Sequence, residues 1–127
     1  MANKKEKYVL EYPIRCSPSI LYDFLYAANG LQEWFADKVD SRDNTFYFTW
    51  NGATDEAEQL EAVENEYVRY RWDYYDEDEY FEFRITRSHV TNETILQIID
   101  FADKFDIDDQ KQLWDTQIVN LKQRLGS

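Results

Sequence analysis

Three segments of this chain place an apolar side chain, mostly aromatic, at every second position. They are "TFYFTW" with Phe46, Phe48 and Trp50, "YVRYRWDYY" with Val68, Tyr70, Trp72 and Tyr74, and "EYFEFRIT" with Phe81, Phe83 and Ile85. Period two is the period of a β-strand, so each segment has one apolar face that must be covered. Close spacing joins such strands as antiparallel hairpins, which commonly leave their other face to solvent. One segment can supply the cover. In "DIDDQKQLWDTQIVNLKQRLG" the residues Ile107, Trp114, Ile118, Leu121 and Leu125 fall on one helical stripe. Asp106 reads as the cap of that helix and Asp108 and Asp109 as its acidic first turn. Lys122 and Arg124 lie near its end, and Gly126 reads as its stop. The fold class that follows is α+β: a curved antiparallel sheet wrapped around a long C-terminal helix.

The remaining segments complete the order. "KYVLEYPIR" is a strand with Leu10, Tyr12 and Ile14 on one face. "CSPSILYDFLYAANG" is a short helix, capped by Ser17 and opened by Pro18, with Ile20, Leu21, Phe24, Leu25 and Ala28 at helical spacing. Asn29-Gly30 reads as its end. "LQEWFA" is a second short helix presenting Leu31, Trp34 and Phe35. "KVDSR" is a weak strand, and Asn51-Gly52 is a hairpin turn after "TFYFTW". "EAEQLEAVEN" is the return strand, with ambiguous inward parity and a bulge as one explanation. "TILQIIDF" closes the sheet, with Leu96 and Ile98 inward and Ile95 and Ile99 outward. Two short helices thus separate the first strand from the second, and residues 1–127 read as one domain.

Charge restricts the partners. The chain carries 26 acids against 14 bases, a formal charge of -12. That opposes docking on a nucleic-acid backbone or on anionic lipid. "MANKKEKYVL" has a basic start but no apolar run before a cleavage site, so the reading has no signal peptide, no membrane insertion and a cytoplasmic location. A lone cysteine, Cys16, agrees with that compartment.

The densest stretch, "YRWDYYDEDEYFEF" (70–83), holds seven aromatics and six carboxylates. Its rings read as core wall and Asp76, Glu77, Asp78 and Glu79 as a solvated turn. No His or Cys accompanies those acids, and a calcium loop would alternate its ligands around a glycine, so no metal is expected. Catalysis finds little support. His89, the single histidine, falls in the turn "SHVTN". Cys16 precedes a helix start, where a thiol pKa can fall. Neither belongs to a nucleophile–base pair or a metal-ligand cluster, and with three glycines there is no phosphate-cradling loop. No catalytic residue and no cofactor are assigned.

Taken in order, the first strand with "CSPSILYDFL", then "GLQEWFADKV", "FYFTWNG", "VRYRW" and "LWDTQIVNLKQRLG" resemble the START-like (SRPBCC) helix-grip superfamily. Within it they are similar to homologues of the activator of the ninety-kilodalton heat-shock-protein ATPase. The resemblance covers almost the whole chain. It departs where Arg42, Asp43 and Asn44 replace a frequent glycine before the "F.F.W" strand, and where Leu113 precedes the final Trp. The resemblance implies an apolar cavity between sheet and C-terminal helix, holding a hydrophobic small molecule or lipid without catalysis. Its matching positions are Trp34, Phe35, Phe48, Trp50, Tyr70, Trp72, Phe83, Leu96, Trp114 and Ile118. Tyr12, Tyr70, Tyr74 and Gln59 would orient the ligand. Two alternatives stay open. The same rings fill the space entirely, or the domain is a protein-interaction module like the chaperone-activator homologues.

Overall fold

In the computed structural model, which describes residues 5–126, the first and second strands lie at opposite edges of the sheet. The elements are β1 (Glu6–Ile14), α1 (Pro18–Tyr26), α2 (Ala28–Leu31), β2 (Lys38–Arg42), β3 (Thr45–Trp50), β4 (Ala53–Val63), β5 (Tyr67–Trp72), β6 (Phe81–Arg87), β7 (Thr94–Ala102) and α3 (Ile107–Leu125). Among these residues seven strands form one curved antiparallel sheet in the order β1-β7-β6-β5-β4-β3-β2. From β2 to β7 it is a plain meander. β1 then closes on β7 over the register Glu6↔Ala102 to Ile14↔Thr94. The chain must therefore travel from one edge to the other between β1 and β2, and α1 and α2 make that crossing. The basic start at positions 1–4 lies outside the described residues. No described helix is long and apolar enough to cross a membrane.

Local chemistry explains most boundaries. The Ser17 hydroxyl accepts the Ile20 N–H, with Pro18 opening α1. The helix does not stop at Asn29-Gly30. It breaks at Ala27, whose backbone is extended, and Asn29 and Gly30 lie within α2. Gly30 is needed for proximity: a Cβ there would stand 2.0 Å from the Asp23 carbonyl oxygen of α1. The second helix is accordingly 28–31 and not 31–36, and Trp34 and Phe35 are carried on the turns that follow. Ile20 points to solvent, and Tyr22 takes its place against the core.

Asn51 and Gly52 both have positive φ, as the hairpin requires. Asp43 does too (φ 53), so an aspartate holds a left-handed turn of the kind that favours glycine. In β4 the register shifts between Gln59 and Glu61. Ala57 and Gln59 pair with Trp72 and Tyr70; beyond the bulge Ala62 pairs with Val68. The inward parity thus changes from odd to even within one strand, which is why it is ambiguous in the sequence. At α3 the Asp106 side chain makes no cap bond, and a turn from Asp103 to Asp106 leads into the helix instead. Gly126, in the left-handed conformation, ends it.

α3 packs against β1 and β7. Trp114 meets the rings of Phe35, Phe81 and Phe83 at 5.8, 6.3 and 5.8 Å. The outer face of the sheet also buries a charge. Glu82 is 1% exposed and receives Arg69 at 2.7 Å and Arg84 at 2.7 Å. The two guanidiniums lie over the rings of Tyr80 and Tyr67, at 4.4 and 4.2 Å.

Candidate functional site at the open end of the sheet

Phe35 decides the shape of the interior. Its ring lies 5.2 Å from Phe48, 5.5 Å from Trp50, 5.9 Å from Phe83 and 5.8 Å from Trp114. The Phe35 carbonyl accepts the Trp50 indole N–H at 2.9 Å and the Gln117 amide at 3.1 Å, tying the turn to both β3 and α3. The ring thereby plugs the centre. The interior behind it is packed with side chains, and space opens in front of it.

That space is a cleft of about 1000 Å³ between α3, the 32–37 turn and the sheet, open to solvent. Of the ten positions named from the sequence, Trp34, Phe35, Trp50, Trp72 and Trp114 line it. Phe48, Tyr70, Phe83, Leu96 and Ile118 are fully buried or nearly so, and form the packed layer behind. Among the suggested orienting groups, Tyr74 is at the cleft. Tyr70 donates to the Leu25 carbonyl at 2.5 Å and Gln59 donates to the Tyr26 carbonyl at 2.9 Å, so both anchor α1 to the sheet. Tyr12 donates to Asp115 at 2.6 Å, outside the cleft lining.

The cleft contains a group that the sequence reading missed. Asp100, 4% exposed, is on the inward face of β7 and lines the cleft. One of its oxygens accepts the Tyr75 hydroxyl at 2.7 Å and the Phe101 N–H at 2.8 Å. The other accepts the Trp114 indole N–H at 3.2 Å and the Tyr8 hydroxyl at 3.4 Å. Burial pushes its carboxyl up to about 6, against the opposing pull of these four donors. Burial also raises the Tyr8 and Tyr75 phenols, and the Asp100 charge adds to it. A signal was present: continuing the alternation of Leu96 and Ile98 by one step puts Asp100 inward.

The acidic run is not wholly a solvated turn. Glu79 is 6% exposed, accepts the Asp76 N–H at 3.0 Å and faces the Lys5 ammonium at 3.4 Å. Among the described residues, Asp76, Asp78 and Glu79 bring carboxylate oxygens within 4.8 Å of one another. Two of those residues are exposed, as acidic turns commonly are. His89 is in the β6–β7 turn and is not among the residues that line the cleft. Burial raises the Cys16 thiol pKa, opposite to the shift expected at a helix start, and outweighs the Leu21 backbone hydrogen bond that lowers it.

A family model for the START-like superfamily domain matches residues 1–127. Among solved structures the chain is similar to a Bacteroides fragilis protein studied by NMR, at 34% identity and TM-score 0.66, covering 96% of this chain and 92% of that one. It is similar in fold to a Mesorhizobium loti protein, at 20% identity and TM-score 0.77, covering 95% and 97%. The same holds for the Aha1 dimer of Colwellia psychrerythraea, at 17% identity and TM-score 0.76, covering 92% and 93%. No curated protein matches the chain.

Proposed function

The chain belongs to the START-like superfamily, and on that premise we propose that it binds a hydrophobic small molecule, without catalysis, in the cleft in front of Phe35. The observation that carries this reading is the make-up of the cleft. Trp50, Trp72 and Trp114 contribute ring edges to a wall of mixed polarity, Trp72 and Trp114 being mostly buried, and the Tyr75 hydroxyl, fixed by Asp100, supplies a polar atom. Ligand sites of roughly 300–1,000 Å³ combine apolar wall with a few fixed polar groups; this cleft has that size, with a larger polar share. The Asp100 oxygens already accept four donors, so the carboxylate serves to fix the two phenols and the indole around it. The Tyr75 oxygen keeps acceptor capacity for a ligand.

A ligand that binds only the folded chain raises its melting temperature. A thermal-shift screen of fatty acids, sterols, flavonoids and polyketide-like aromatics tests the proposal. A saturable shift with at least one class is expected. If no compound moves the transition, the small-molecule reading fails and the protein-interaction reading takes its place.

A further inference from the structure

Aromatic rings line part of the cleft, and its rim is acidic. Among the described residues five carboxylates besides the buried Asp100 line the cleft, Asp37, Asp55 and Asp103 among them, against two cations, Lys5 and Arg124. Both cations are already matched. Lys5 stands 3.4 Å from Glu79, and Arg124 stands 3.8 Å from Glu33. On the sheet side Trp50, Trp72 and Tyr74 form a row of adjacent rings, with Trp72 at 6.0 Å from each of the other two and stacked on Tyr74; Trp72 itself is buried, so the accessible faces are those of Tyr74 and the half-buried Trp50. At one end of that row the chain already places an ammonium on aromatic faces. Lys5 Nζ lies 4.1 Å from the Tyr75 ring centre and 5.8 Å from that of Tyr74.

We propose that this cleft selects a cationic amphiphile, an amine or quaternary ammonium on a hydrophobic body, held by the exposed Tyr74 ring, the half-buried Trp50 ring and the acidic rim. The inference rests on the small-molecule reading above and specifies its ligand class. The physical reasons are two. Aromatic faces carry negative potential and attract a cation lying over them. A narrow space lined by one sign of charge concentrates ions of the other sign. An anionic amphiphile of the same length meets repulsion from both features. Lys5 competes for the tyrosine end of the surface, so it sets how tightly an external cation is held.

The test is calorimetry at low ionic strength with three single-chain probes sharing one tail: decyltrimethylammonium, decanol and decanoate, each below its micelle concentration. The ammonium is expected to bind about tenfold more tightly than the alcohol, which is about 1.4 kcal/mol, and the carboxylate most weakly. Tyr74→Leu keeps an apolar side chain at a position that is 61% exposed. It should lower the ammonium-to-alcohol ratio severalfold, and Asp55→Asn should do the same. Lys5→Gln should raise the ammonium affinity. Equal binding of ammonium and alcohol would overturn the charge selection and leave the small-molecule reading standing, as would preference for the carboxylate. A ratio unmoved by Tyr74→Leu and Asp55→Asn would overturn the assigned surface. Binding of none of the three would overturn the inference, and the reading it rests on falls with it only if the thermal-shift screen is also empty.

Discussion

Asp100 shows how one residue couples the core to the cleft. Tyr8 from β1, Tyr75 from the β5–β6 connection and Trp114 from α3 all converge on its carboxylate. Its carboxyl, at about 6 in the folded chain, lies above the ~3.9 of an unfolded aspartate. The unfolded chain therefore releases this proton first as pH rises. Asp100 contributes its full stability below about pH 4 and loses it as pH rises through about 6. The loss is of the order of 3 kcal/mol. Asp100→Asn cannot ionise, so its stability relative to the parent should improve by up to about that amount between pH 4 and pH 7. Denaturant melts of both proteins at the two pH values check this; a difference that does not change with pH would contradict it. Trp114→Ala should cost about 3–5 kcal/mol, since it removes buried area and a donor to both Asp100 and Tyr8. A variant that melts like the parent would disprove that packing. Period two made Leu96 and Ile98 legible as core residues. Asp100, Glu79 and Glu82 were not, because an acid at an inward or boundary position reads as surface until its partners are known. For Glu82 those partners are Arg69, its cross-strand neighbour, and Arg84 on its own strand.

At the scale of elements, the strands and α3 are legible in the sequence, because alternation and the helical stripe are carried by large side chains. The α1–α2 region is less legible. There the dipeptide Asn29-Gly30 suggested a stop by its conformational freedom, whereas the constraint is the contact with the Asp23 carbonyl. Gly30→Ala tests this directly. It should destabilise by about 1–3 kcal/mol, as overpacking does, and Gly30→Asn should not be tolerated better. If glycine served only to end a helix, asparagine would be the milder change. The β4 bulge had a legible symptom, the ambiguous parity, but its position at Gln59–Glu61 depends on the pairing of Tyr70 and Arg69 across the ladder. Its effect is to keep Gln59 beside Tyr70, where it ties β4 to the end of α1.

On the scale of the whole molecule, the sheet's aromatic faces do two jobs. Phe48, Tyr70 and Phe83 fill the interior behind Phe35, while Trp50, Trp72 and Trp114 face the cleft in front of it. The ten cavity positions drawn from the family resemblance divide along that line. The division was not visible in the sequence because it depends on where the 32–36 turn drops the Phe35 ring. It also changes how the site is blocked. Ile118 is buried away from the cleft, whereas Leu113 on α3 lines it and is 60% exposed. Leu113→Trp can therefore fill the cleft without disturbing the core. The most direct measurement is the melting temperature of the parent and of Leu113→Trp, each with and without the strongest compound from the screen. At one hundred times its dissociation constant the ligand should stabilise the parent by about 2.7 kcal/mol. The account predicts that this gain disappears in Leu113→Trp while the unliganded variant melts like the parent. An equal gain in both proteins would place the ligand elsewhere and contradict the account.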